Sequence, residues 1–224
     1  MNCFSKLLTT SILLLAGSIT VSAQRYSNNP YSGSYKNLES HSFGTFYAEY
    51  NPHVWHRTDY GSTTNTNFHG ISVGFNYFVP VFGQLGFDAG VKGQYLFRHE
   101  SVGLSTFKDN MFSASIPIDI LYDFRVTEGF AIDPYVGLYG RYNFSAKNIE
   151  EVGGGRNTQN LFDKEQARYY GYETLDRFQY GWQVGVNFRI SNVVTIGGAY
   201  WADLNDIGED TNLHGFNILL GANF

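Results

Sequence analysis

Residues 177–190 read RFQYGWQVGVNFRI. Every second side chain is large and apolar: Phe178, Tyr180, Trp182, Val184, Val186, Phe188 and Ile190. Between them lie Gln179, Gly181, Gln183, Gly185, Asn187 and Arg189, all small or polar. A period of two is the signature of a β-strand whose two faces meet different surroundings. In a soluble sandwich the wet face would carry Lys, Glu and Thr, and glycine would weaken the strand. Here aromatic rings open the dry face, and Phe188 and Ile190 close it. A strand crossing lipid has this form, with aromatics at the headgroup levels.

The same alternation recurs along the chain. Residues 68–77 place Ile71, Val73, Phe75 and Tyr77 outward, with Gly70, Ser72, Gly74 and Asn76 inward. Residues 85–98 send Leu85, Phe87, Ala89, Val91, Tyr95 and Phe97 to lipid, and Asp88, Lys92, Gln94 and Arg98 to the interior. Strands are also expected over 111–124, 130–144, 193–201 and 214–224, with Ala222 and Phe224 facing out in the last. Residues 41–50 form a first strand whose two faces both carry aromatics, so its facing stays open. The count is eight. Short turns follow the second, fourth and sixth strands, and long loops follow the others, at 51–67, 99–110, 145–176 and 203–212. Short periplasmic turns opposite long external loops are characteristic of outer-membrane barrels. The expected fold is all-β, an eight-stranded antiparallel up-and-down transmembrane β-barrel over residues 41–224.

Composition agrees. The chain has 224 residues, with 17 Tyr, 19 Phe and 25 Gly, and no apolar run after residue 23 that could cross a membrane as a helix. Residues 1–23 carry Lys6, an apolar stretch over 7–16 and small residues at Val21 and Ala23. This is the pattern of a cleaved secretory signal peptide. Cys3, the only cysteine, precedes the apolar stretch, so lipid attachment at the cleavage point is not expected. Residues 24–40, rich in Ser, Asn, Tyr and Gly, read as a flexible periplasmic lead-in. Removing residues 1–23 takes away one basic residue of 15, which leaves 14 against 20 acidic ones, a net charge of −6. That balance argues against a nucleic-acid partner.

The stretches SIPIDILYDF at 115–124 and PYVGLYG at 134–140 resemble the core of the outer-membrane β-barrel domain family common in Bacteroidota. The resemblance implies a small barrel shaped like OmpX or the OmpA transmembrane domain. Phe224, ending an alternating strand, resembles the signal read by the barrel-assembly machinery. No catalytic residue and no cofactor comes with the resemblance, and fold does not carry function.

Eight inward charges form a balanced set: Asp88, Asp119, Asp123 and Asp133 against Lys92, Arg98, Arg141 and Arg189. An eight-stranded barrel is just wide enough for side chains to fill. The set reads either as a salt-bridged plug or as a narrow ion path. Enzymatic candidates are thin. His41-Ser42 and His69 with Ser72 lack an acid at a suitable register, and the histidine–serine–asparagine pattern of lipid A deacylase barrels is absent. His53 and His56 are two ligands, too few to define a metal site. Asp203, Asn205, Asp206, Glu209 and Asp210 crowd one loop, but Ile207 takes a ligand position and no distal Glu follows. The 145–176 loop offers Phe162, Tyr169, Tyr170 and Tyr172 as contact residues or as part of an aromatic girdle.

The expected role is a non-enzymatic outer-membrane barrel, structural or interacting through its external loops. Its partners would be outer-membrane lipid and an extracellular protein, glycan or lipopolysaccharide. The alternatives are a narrow channel and a lipid-modifying enzyme. The facing assignment is testable by urea titration of the barrel folded into vesicles. Val186→Arg on the lipid face should cost about 2–4 kcal/mol, and Asn187→Ser on the inner face little. Equal losses would reverse the facing.

Overall fold

A computed structural model describes residues 40–224 apart from 60, 61, 154, 173 and 209. The expected signal peptide at 1–23 and nearly all of the lead-in at 24–40 lie outside the described residues. Those residues form eleven strands and one helix. The strands are β1 (Phe43–Tyr50), β2 (His53–Asp59), β3 (Ser62–Phe82), β4 (Leu85–Val102), β5 (Ser105–Tyr122) and β6 (Phe124–Thr127), then β7 (Phe130–Val152), β8 (Gly155–Asn160), β9 (Phe178–Ile190), β10 (Val194–Asp203) and β11 (Thr211–Asn223). The helix, α1, spans Lys164–Tyr170.

All pairings are antiparallel, in the order β1-β11-β10-β9-β7-β5-β4-β3. The ring closes where β1 pairs β3, from Phe43 opposite Phe78 to Tyr50 opposite Ile71. β2 continues β1 past Asn51-Pro52 and pairs both β11 and β3. β6 continues β5 past Asp123 and pairs β7. The ring therefore has eight members, and closure leaves no open sheet edge around it. Phe224 helps to seal the seam. Its backbone exchanges two 3.0 Å hydrogen bonds with Gly44, and its ring packs on Phe46 and Phe75.

The alternation read from the sequence is the alternation observed. In β9, Phe178, Tyr180, Val184, Phe188 and Ile190 are exposed, whereas Gln179, Gly181, Gln183 and Arg189 are buried. Val73, Leu138 and Ile218 are 64%, 62% and 60% exposed. A band of exposed Val, Leu, Ile and Phe running around the ring is far larger than soluble proteins tolerate, and lipid is the solvent that suits it. β1 resolves as Thr45, Tyr47 and Glu49 inward and Phe46, Ala48 and Tyr50 outward. Ala222 shares the outward face of Phe46 but is covered there. Its small side chain, beside its cross-strand partner Phe46, is 2% exposed.

Three loops expected to be irregular are strand instead. The 51–67 span is β2 and the start of β3, and 99–110 is the tip of a β4–β5 hairpin turning at Gly103-Leu104. The 145–176 span begins as the end of β7, returns as β8 and continues into α1. Crossing a bilayer takes about 9–11 residues per strand, and β7 has 23. The surplus projects. β3 parts from β4 after His69 opposite Phe97. Beyond that point β4, β5, β7 and β8 form a four-stranded blade, and β2 with β3 forms a separate hairpin. In the blade, the Lys108 ammonium hydrogen-bonds Glu151 at 2.7 Å and holds that carboxyl below its ordinary pKa range. α1 is stopped at both ends: the Asp163 carboxylate accepts from the Glu165 and Gln166 N–H groups, and Gly171 ends the helix at φ 72°.

Inward glycines have a spatial role. Gly74, Gly181, Gly185 and Gly215 stand directly opposite Tyr47, Tyr139, Tyr135 and Trp201. Each ring lies over its glycine, at most 3.0 Å from where a Cβ would stand. Rings laid over cross-strand glycines fill the interior without forcing the strands apart. Gly74→Val should therefore destabilise the barrel by about 1–3 kcal/mol through overpacking. In a Tyr47→Ala background the same change should cost much less. Equal penalties in a double-mutant cycle, read by urea unfolding in vesicles, would contradict the pairing.

Candidate functional site

The interior is arranged in tiers. At the short-turn end, Arg189 of β9 bonds Asp123 and lies 3.3 Å from Asp133 of β7. Asp123 also takes Arg125 at 3.0 Å and the Ser40 hydroxyl at 2.6 Å. The Phe43 ring covers the Arg189 guanidinium at 3.9 Å and packs on Phe78. Stacking on a ring suits a delocalised cation, and the buried charges are matched within the group.

Above this tier, Lys92 meets Glu49 at 3.2 Å. Glu49 also accepts from Ser72 and Asn51, and Asn51 donates to Asn217. Asn76 donates to Asp88 at 2.9 Å, and Gln183 donates to both oxygens of Asp119. Higher again, Arg141 bonds Asp203, which also accepts the Tyr139 hydroxyl at 2.5 Å. Trp201 lies 5.3 Å from the Arg141 guanidinium and packs on His53. The gap bounded by Lys92, Gln94, Arg141 and Trp201 is about 10 Å³, the space of one water molecule.

An apolar cork closes the long-loop end. Ile207, Leu96 and Leu213 are fully buried there with Met111 and Ala146, and Trp55, Leu161, Phe162 and Leu175 pack on them. Backbone bonds hold the cork from two loops: Asp176 donates to Ile207 at 2.6 Å, and Leu175 to Leu161 at 2.9 Å. Over the cork, between the blade and the β2–β3 hairpin, lies an open cup of about 440 Å³.

Of the eight interior charges expected from the sequence, Asp123, Asp133 and Arg189 form one cluster. Lys92 and Arg141 pair with Glu49 and Asp203, and Asp88 and Asp119 are held by amides. Arg98 does not join them. It stands at the cup, bonded to Glu100 and 3.4 Å from Asp109. Sequence reading missed Glu49, His53, Asp203 and Trp201 as interior groups. His53 and Asp203 fall in spans taken for loops, and Glu49 in the strand of open facing.

The other candidates separate. His53 bonds the Asn51 carbonyl inside, while His56 bonds Asn65 on the opposite face of β2. His69 faces out against Tyr50, and Ser72 faces in. Asn205 caps Tyr180 and Phe178, and Glu209 lies outside the described residues. Phe162 lies under Arg177 at 4.3 Å and belongs to the cork. Tyr172 is pinned to Gln166 and Asn160. Tyr169 and Tyr170, edge to face at 4.9 Å, are 82% and 58% exposed.

No protein-family model matches the chain, and no curated protein matches it. The solved structures similar to it include outer-membrane β-barrel proteins. One is Ail, the attachment invasion locus protein of Yersinia pestis, in complex with the heparin analogue sucrose octasulfate. It is 12% identical with a TM-score of 0.45, over 83% of this chain and 100% of that one. Neisserial surface protein A is 16% identical with a TM-score of 0.42, over 80% and 95%. OprG of Pseudomonas aeruginosa is 10% identical with a TM-score of 0.41, over 83% and 97%.

Truncating one member of a buried ionic cluster strands the others. Arg189→Met should cost about 3–5 kcal/mol in urea titrations. Adding Asp133→Asn, which leaves Asp123 paired with Arg125, should recover most of the loss. Cutting the solvent-screened Lys108–Glu151 pair should cost far less. A loss at Arg189 no larger than that would contradict the cluster's role.

Proposed function

We propose that this protein is an exported, non-enzymatic outer-membrane barrel that acts through the structure it raises above the membrane. The supporting observation is that the interior is filled from end to end by paired charges, rings and an apolar cork, while the blade stands free. A diffusion pore needs about sixteen strands, and the interior gap here holds one water. In the blade, β8 and the end of β4 each pair on one side only among the described residues. Such edges accept an added strand from another chain.

On this reading the partners are outer-membrane lipid along the apolar band and an extracellular protein, glycan or lipopolysaccharide at the loops. Tyr169 and Tyr170 are the aromatic contacts the loops offer. Seven of the eight charges, all but Arg98, serve as the structural plug. Phe224 would present the barrel to the assembly machinery, and the resemblance to the Bacteroidota barrel domain family supports the same placement. The protein folded from its mature sequence, checked by heat-modifiable gel migration, should be silent or flicker rarely in planar bilayers. Steady, ion-selective steps would make the charged interior a path and overturn the reading.

A further inference from the structure

The two faces of the blade carry unlike charge. Ala146 faces the cork, and Asn148 donates to Asp109 on the cup side. Lys147 between them therefore points outward, as does Asn110 opposite it. The same alternation places His99, Lys108, Glu151 and Arg156 on the outer face. There Lys108, Lys147 and Arg156 stand against one carboxylate, Glu151. On the cup face Arg98 stands alone against Glu100, Asp109 and Glu150. Glu151 is already shared: Lys108 bonds it, and Arg156 and His99 help to hold its carboxyl below the ordinary range. One carboxylate cannot balance three permanent cations, so an acidic chain carries a net positive face here.

That face rises directly from the lipid band. Below Lys147 the outward rings are Phe112 and Phe144, 5.8 Å apart. Tyr95 donates its hydroxyl to Asn110 at 2.7 Å, toward the loop end, as a ring does at the boundary between hydrocarbon and headgroups. Successive outward positions on a strand are about 7 Å apart, and a headgroup layer is about 5–8 Å deep. Lys147, paired with Asn110, stands at that level, with Lys108 one outward position above it and Arg156 two.

We infer that the outer face of the blade holds phosphate-bearing headgroups of the surrounding lipid, with Lys147 nearest the bilayer and Lys108 and Arg156 above it. The inference rests on the outer-membrane placement proposed above and adds a contact chemistry to it, phosphate on cations beside acyl chains on the apolar band.

The test takes the folded protein from nanodiscs of phosphatidylcholine with a minor share of phosphatidate into neutral detergent, and counts the retained lipids by native mass spectrometry. The barrel should keep phosphatidate about tenfold beyond its share. Lys147→Glu with Arg156→Glu should bring retention down to that share, and Lys147→Arg with Arg156→Lys should preserve the excess. Lys164→Glu with Arg168→Glu, the same change of net charge placed on α1, should leave most of it. Washing with inorganic phosphate should not strip the lipid, because its chains stay on the apolar band. The inference is overturned by no excess of phosphatidate, by an excess unchanged in the folded Lys147/Arg156 reversal, by an equal fall in the α1 variant, or by loss to inorganic phosphate, which would mark a site for a free anion. Steady conduction in planar bilayers would overturn the platform reading without changing these counts, so the two failures are distinguishable.

Discussion

Closing eight strands into a ring leaves an interior no wider than the side chains that point into it, and most of this structure follows from that lack of room. Inward positions must either be small or interlock with what stands opposite. Glycines 74, 181, 185 and 215 meet the first requirement, and the rings of Tyr47, Tyr139, Tyr135 and Trp201, laid over them, meet the second. Charges confined with so little water must find partners, because an unpaired ion there keeps its full desolvation penalty. Arg189 with two carboxylates, Lys92 with Glu49, and Arg141 with Asp203 satisfy that demand tier by tier.

On the proposed reading the same constraint moves function to the loops, where strands outrun the membrane. β3, β4, β5 and β7 all do so, and the ladders they continue give the projections a rigidity that irregular loops lack. Ile207 and Leu175 seal the mouth beneath them and provide the apolar floor on which the cup is built. Seal and cup share one set of side chains.

What the sequence made legible was the part in contact with lipid. There, period-two alternation is enforced by two solvents, and the facings of β4, β5, β7 and β9 follow directly from it. Above the membrane both faces of a strand are wet, so the alternation fades. His53, in β2, and Asp203, at the end of β10, therefore look like loop residues although both are buried inside. Glu49 was obscured for another reason. Phe43 and Tyr47 are aromatic yet inward, the first because it covers Arg189 and the second because Gly74 makes space for it. Those pairings span 146 and 27 residues of sequence, and no local pattern announces them. Loop 145–176 looked structureless because a polar hairpin and a seven-residue helix carry no strong periodicity.

Access to the interior is the most direct measure of this account. The lone cysteine lies in the segment expected to be cleaved, so single cysteines can be placed in an otherwise thiol-free barrel. Ser115→Cys lies in the middle of the interior and Ser62→Cys on the exposed hairpin tip. A small, water-soluble maleimide, applied from either side of vesicles holding the folded protein, should label Cys at 62 rapidly and leave Cys at 115 unreacted until the barrel is unfolded. Prompt labelling at 115 in the folded barrel would mean a water-filled interior and would contradict the sealed plug on which the rest depends.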